Sequence, residues 1–387
     1  MKFRHLLFAS VVPSTFIAGL SLSAAPLVSI GDNATVHFLG SAKVTSDSNI
    51  FRDETDEVDD IVFSVTPGLE LKYGTGASSA SFGAVVKYEI RRYDDNGELD
   101  TELLNTSAYG KYEGARFKAN GNVAYVESKS NTGSANVDGD LIEAETITAT
   151  FDSEYRLSQK FKFGAGLKYT DKDYTSFEDA VADYQTLALP FDLYYELTPK
   201  LDLSAGFTYT DKEVEDREGA PGSGYDSDVY FYNVGLRGDL LPKLTGFVKV
   251  GYKTLERDGA DDKNTMGVDA DLTWKVSPKF TNKLMMARDF GIAGNGSATE
   301  RSSVRLNSTY TITTQYSVSG VLGYLNRDYQ DASGREDDQY EVGGTFSYIP
   351  NEFWRFSAGY TYLDNDSSDA GQSYEDHRLD LTASLRY

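Results

Sequence analysis

The chain has 387 residues, 40% of them apolar, no cysteine and a formal net charge of −23. Without cysteine it can hold no disulfide, thiolate nucleophile, thiolate metal site or lipid-anchored N-terminal cysteine. So acidic a surface does not suit a phosphate backbone, and a nucleic-acid partner is not expected.

Met1-Lys-Phe-Arg-His5 is basic, Leu6 to Leu22 is mostly apolar, and Ser23-Ala24-Ala25 offers small residues for cleavage. Residues 1–25 therefore read as a secretory signal peptide. Loss of Lys2 and Arg4 would leave the mature chain two charges more negative. No later segment approaches the run of about 18 apolar residues that a transmembrane helix needs. Any membrane crossing is then made by strands, and lipid tolerates strands only in a closed barrel.

From Ala34 onward the chain reads as strands, with no linker or helical stretch to divide it, so residues 26–387 form one all-β unit. Phe82, Ala84, Val86, Tyr88 and Ile90 alternate with Gly83, Lys87, Glu89 and Arg91. Phe161, Phe163, Ala165, Leu167 and Tyr169 alternate with Lys162, Gly164, Gly166 and Lys168, and Leu201 to Thr210 repeats the pattern. Val268, Ala270, Leu272, Trp274 and Val276 oppose Asp269, Asp271, Thr273 and Lys275. In the last strand Leu379, Leu381, Ala383, Leu385 and Tyr387 oppose Arg378, Asp380, Thr382, Ser384 and Arg386. A period of two gives each strand one apolar and one polar face. Charges on a lipid-facing surface would cost several kcal/mol, so the polar face sees water. Four segments, near residues 101–112, 143–155, 184–195 and 280–288, alternate too poorly to assign a face.

A short turn recurs at Leu157-Ser-Gln-Lys160, Leu197-Thr-Pro-Lys200, Leu240-Leu-Pro-Lys243, Val276-Ser-Pro-Lys279, Ile312-Thr-Thr-Gln315 and Ile349-Pro-Asn-Glu352, at intervals of 36 to 43 residues. Proline pre-sets a reversal and cannot serve a central strand. A period near 40 also suits propeller blades, but each interval here holds two strands of about ten residues, the length that crosses a bilayer when tilted. The fold class is therefore an all-β transmembrane antiparallel up-and-down barrel of about eighteen strands, with sixteen as the other count. An even number puts both termini on the periplasmic side, with short turns there and longer loops outside. Tyr73, Tyr112, Tyr155, Tyr195, Trp274, Tyr348 and Tyr387 close downward strands. Tyr93, Tyr125, Tyr169, Tyr209, Tyr252, Tyr324 and Tyr362 close upward ones. Such placement is that of two aromatic girdles at the membrane faces.

The long connections are acidic, among them Asp47 to Asp60, Asp211 to Asp228 and Arg327 to Asp338, so the remaining wall is mildly positive. Candidates to line the lumen are Lys87, Arg91, Lys168, Arg237, Lys249, Lys253, Asp269, Asp271, Lys275, Arg305, Arg355, Arg378 and Asp380, with Tyr194 and Phe231 as aromatics along it. These charges could equally pair with one another across strands and only keep the interior wet. Acidic runs such as Asp53 to Glu57 lack the glycine and spacing of a calcium loop, so no metal or cofactor is expected. His37 and His377 fall at opposite ends of the wall and cannot share a hydrolytic site, and no enzyme is indicated. No loop exceeds about twenty residues, which argues against an internal plug.

At Thr45-Ser-Asp-Ser-Asn-Ile-Phe-Arg52, at Ile61-Val-Phe-Ser-Val-Thr-Pro-Gly-Leu-Glu-Leu71, in the Leu-Thr-Pro-Lys-Leu turn and at the aromatic C-terminus, the chain resembles the putative β-barrel porin 2 family. The resemblance implies a bacterial outer-membrane barrel and, through its relatives, association with polysaccharide export and a periplasmic export partner. It supplies no catalytic residues. The expected partners are outer-membrane lipid and, through the C-terminal strand, the outer-membrane assembly machinery. The expected function is a water-filled channel for solutes, open to polysaccharide export as its cargo, with a non-conducting scaffold or surface-interaction barrel as the alternative.

Overall fold

A computed structural model describes residues 26–31, 33–74, 78–137, 139–331 and 333–387. The expected signal peptide lies outside the described residues. The sheet begins with a three-residue strand, β1 (Val28–Ile30), followed by β2 (Ala34–Asp47), β3 (Asp60–Tyr73), β4 (Ala80–Tyr93), β5 (Thr101–Glu113) and β6 (Phe117–Lys129). It continues through β7 (Glu143–Arg156), β8 (Phe161–Tyr174), β9 (Tyr184–Thr198), β10 (Leu201–Val214), β11 (Tyr225–Leu241) and β12 (Leu244–Arg257). Then come β13 (Lys263–Ser277), β14 (Phe280–Ile292), β15 (Ala298–Thr311), β16 (Tyr316–Tyr329), β17 (Glu336–Tyr348), β18 (Trp354–Ser367) and β19 (Tyr374–Arg386). Each strand from β2 to β19 pairs antiparallel with the next, and β19 returns to β2 from Arg378↔Asp47 to Arg386↔Leu39. The result is a closed barrel of 18 long strands. Strand β1 pairs with the part of β2 that extends below the end of β19. Phe38 and Tyr387 exchange backbone bonds of 2.6 and 2.9 Å at that junction, which seals the seam.

The outer face carries the apolar half of each alternation. Val65, Leu69, Val234, Leu322 and Leu381 are all half exposed or more. On a soluble protein that would be a liability; around a closed barrel it is the lipid-facing belt. The lower rim is ringed by aromatic pairs from neighbouring strand ends: Tyr73 with Phe82, Tyr112 with Phe117, Phe161 with Tyr195, Phe280 with Tyr310 and Tyr316 with Tyr348. The upper girdle is marked differently, because four of its tyrosine hydroxyls donate to carboxylates. Tyr125 donates to Glu127, Tyr169 to Asp171, Tyr209 to Asp228 and Tyr324 to Asp338, at 2.7–3.1 Å. Tyr252 and Trp274 also face outward, paired with Met266 and Leu244. Tyr93 departs from the expected girdle. It pairs with Val62 on the inner face and packs against Ile50, Phe51, Leu99 and Leu141. One extra strand residue beyond outward-facing Arg92 turns its ring inward.

The strands are longer than the expected ten residues, at 13 to 17. Fourteen residues span about 46 Å along the strand. Tilted by about 40°, that exceeds the apolar band of about 25 Å, so the upper strand ends stand clear of the lipid. Much of what reads as acidic loop is wall above the membrane. Glycine serves these close-set strands at Gly246 (φ +146°), where a Cβ would lie 1.9 Å from the Asp271 carbonyl oxygen.

Closure through β19 predicts a sharp asymmetry between its two faces. Leu381→Arg, which points a cation at lipid opposite Val44, should lower folding stability in bilayers by about 2–4 kcal/mol. Thr382→Asn, one residue along and facing inward, should cost less than half of that. Urea titration of the folded fraction in lipid vesicles measures both.

Candidate functional site

Alternation alone assigns the charged candidates to the inner face, and contacts between non-adjacent strands place them there geometrically. Arg237 on β11 reaches Glu154 on β7 at 2.7 Å, across three intervening strands. Only a chord through the interior allows that. The same guanidinium bonds Asp202 at 2.9 Å and lies 3.6 Å over the Tyr194 ring. Lys162 holds both Asp202 oxygens at 2.9 Å. The Tyr194 hydroxyl donates to Asp192 at 3.1 Å, and Lys249 holds both Asp192 oxygens at 2.8 Å. One ionic network thus lines the wall from β7 to β12. It passes over Gly206, where a Cβ would sit 2.3 Å from the Asp192 carboxylate.

The remaining candidates divide between paired and loosely held. Arg305 forks onto Glu341, and Arg378 bonds Asp47 at 2.9 Å and Asp376 at 2.6 Å. Asp380 accepts from Thr45 at 2.6 Å and lies 3.5 Å from Lys43. Arg91 bonds Glu89, Lys253 bonds Asp289 at 2.9 Å, and Asp271 lies 3.5 Å from Lys283. Asp269 stands opposite Lys249 in the ladder, with one carboxylate oxygen buried and unpaired. Lys168 and Arg355 are engaged with neighbours. Lys87 and Lys275 make no ion pair among the described residues. Phe231 faces inward beneath the Lys253 ammonium, 4.5 Å from its ring centre.

The outer end holds the feature that the sequence does not announce. Strand β6 leaves β5 above Asn105↔Val126, and β14 leaves β13 above Val268↔Arg288. Both hairpin tips bend inward and meet over the mouth, where the Gly294 N–H donates to the Ser134 carbonyl at 2.7 Å. Residues 130–142 also reach the opposite walls. Asn131 donates to the Phe51 carbonyl, Asn136 to Arg52, and Arg335 to the Gly133 carbonyl. Ala182 donates to Gly294 at 2.9 Å. Small apolar clusters fix this roof: Ala135 with Ile142, Tyr174 and Val181; Phe290 with Val229, Leu255 and Ala298; Ile292 with Ala182 and Val214. Ser297 donates to Asp331 at 2.6 Å. Burial pushes that carboxyl up, but the hydroxyls of Ser297 and Ser333 and the Ser333 N–H outweigh it and hold it below the usual carboxylate range. The short loops therefore do cross the mouth, contrary to the expectation from loop length, because the bent strand ends add their own reach.

A family described as Putative beta-barrel porin 2 matches residues 40–387. The chain belongs to that family. Among solved structures it is similar to OpdK of Pseudomonas aeruginosa in complex with vanillate, at 12% identity over 92% of this chain and 99% of that one, with a TM-score of 0.45. Acinetobacter baumannii OccAB4 aligns at 15% identity, 92% and 99% coverage and a TM-score of 0.48. The ferric-catecholate import receptor Fiu of E. coli K12 aligns at 10%, 92% and 82%, with a TM-score of 0.48. No curated protein matches the chain significantly. The family and the closed barrel place the protein in the bacterial outer membrane.

Within this porin-family barrel His37 lies buried on the inner face, paired in register with Glu70, whereas His377 contacts the Tyr360 hydroxyl at 2.8 Å near the outer end. Sequence reasoning passes over Lys212 and Arg301 as lumen residues because both fall in stretches that read as acidic loop. The ionic network makes a direct prediction. Arg237→Ala strands Glu154 and half of the Asp202 pairing, and should lower stability by about 2–3 kcal/mol. Arg237→Lys keeps one bond but not the fork, and should fall between the two. Denaturant melts of the refolded barrel in detergent test the order.

Proposed function

We propose that the protein is a porin-like channel for small hydrophilic solutes, held closed at its outer end by the inward-bent hairpins. The carrying observation is the combination of a charged, hydrogen-bonded inner wall with a roof made of strand ends rather than of a plug domain. A barrel of 18 strands is wide enough to leave an aqueous path beside its wall residues. The roof rests on a few apolar side chains and backbone bonds, so an opening cost of a few kcal/mol would give an open fraction of about 0.1–10%. Export of a polysaccharide, suggested by the family resemblance and by aromatics such as Tyr194 and Phe231 among the lumen charges, gains no support from a mouth crossed by two hairpins.

Planar-bilayer recording tests the reading. Wild-type protein should show brief, infrequent openings, and removal of residues 132–137 should make the open state predominant. A barrel without conductance steps in either form is a scaffold instead. Selectivity follows from the charges. Acidic rims are screened over about 8–10 Å at ordinary salt, whereas wall charges in a confined lumen are screened less. Cation preference at low salt should therefore weaken, or turn toward anions, as ionic strength rises. Reversal potentials at two mean salt concentrations measure it, and a preference unmoved by salt would assign selectivity to the wall alone.

A further inference from the structure

Under the roof the charge balance reverses. Where β14 leaves β13, from Arg288 onward, cations from the inner wall donate to its carbonyls. Lys212 donates to the Phe290 carbonyl at 2.6 Å, Lys253 to the Arg288 carbonyl at 2.9 Å, and Arg301 to the Ile292 carbonyl. Arg301 also donates to the Thr299 hydroxyl at 3.1 Å and lies flat on Gly291, whose Cβ would meet its Nε at 2.4 Å. Lys172 stands over the Tyr174 ring at 4.5 Å. Among the described residues, Lys172, Lys212 and Arg301 have no carboxylate within 4 Å. Of the acids nearby, Asp289 bonds Lys253 at 2.9 Å and attracts Lys212 only from beyond that range, and Asp183 accepts from the Tyr174 N–H at 2.7 Å. Arg301 lies within electrostatic range of Lys172, Lys212, Arg327 and the Tyr225 hydroxyl. That hydroxyl is buried without a hydrogen-bond partner, as is one terminal nitrogen of Arg327.

We propose that Lys172, Lys212 and Arg301 form an anion-binding site beneath the roof, which takes a small oxyanion or carboxylate solute. Three cations with no carboxylate within 4 Å, in a chain of net charge −23, are a poor surface for water alone and a good one for an anion. Two of the three already hold the carbonyls of the bent β14 tip. An anion that bonds Lys212 and Arg301 competes with those carbonyls, so its arrival loosens the hairpin that closes the mouth. The site thus couples solute recognition to opening. Only this coupling rests on the channel reading; binding itself needs no conduction.

The test is titration calorimetry of the full chain in detergent, with inorganic phosphate as probe and ionic strength held constant with sodium chloride. Saturable binding is expected. Loss of one charge-assisted hydrogen bond should weaken it about tenfold. Arg301→Gln and Lys172→Gln should each show that loss, and Lys160→Gln, in a periplasmic turn, should not. Lys172 caps no carbonyl, so its variant keeps the fold even if Arg301→Gln loses it. Heat that chloride alone reproduces, or an affinity that survives Lys172→Gln in folded protein, overturns the site. In bilayers, phosphate should lengthen openings relative to chloride. A barrel that binds phosphate and never conducts keeps the site but refutes the channel reading. One that conducts but binds no phosphate does the reverse.

Discussion

The hydrocarbon layer offers no hydrogen bonds, so every backbone N–H and C=O that crosses it must find a partner in the chain. That requirement sets most of this structure. It forces the last strand back onto the first and brings β1 in to cover the lower edge of β2. With the backbone satisfied, side chains are free to divide by solvent. Apolar residues take the outer face, which has nothing to pack against but lipid, and the interior is left to water and charge.

The interior is correspondingly unlike a soluble core. The small apolar clusters lie at the outer end, and the middle is held by ion pairs such as Arg237 with Asp202 and Glu154, and Lys249 with Asp192. Burying such pairs costs desolvation that Coulomb attraction only partly offsets, so they are weak as sources of stability. Their arrangement is better understood as keeping the wall rigid and wet, because Asp192 and Asp202 are each held by two donors. The barrel's stability then resides in the continuous backbone ladder and its lipid-facing belt.

Above the membrane the backbone constraint relaxes, and there the strands stop obeying it. Strands β6 and β14 part from their neighbours toward the outer end, above Asn105↔Val126 and Val268↔Arg288, where water can satisfy a freed edge. The carbonyls carried inward by β14 are instead answered by Lys212, Lys253 and Arg301. Two of those cations, Lys212 and Arg301, have no carboxylate within 4 Å among the described residues and leave positive charge beneath the roof. In the proposed mechanism, closure of the channel and recognition of a solute depend on the same few side chains.

Much of this was legible in the residues. Period-two alternation in segments such as Leu201 to Thr210 and His377 to Tyr387, with short turns every 36 to 43 residues, read as about eighteen strands with one apolar and one polar face, and set Lys87, Arg237 and Asp271 on the polar one. Such patterns are local, since a strand's two faces meet different solvents everywhere along it. The segments that resisted have local causes too: Tyr109 and Pro190 point inward, and Arg288 points outward. What the sequence could not determine is non-local. The Arg237–Glu154 chord joins residues 83 apart, Asn131 meets Phe51 from 80 away, and Arg335 meets Gly133 from 202 away. Nor does alternation say where one strand parts from the next, because the departing residues keep the same period. Only the closed tertiary structure, which brings opposite walls together over the mouth, decided that the acidic loops would become a roof and that cations would gather beneath it.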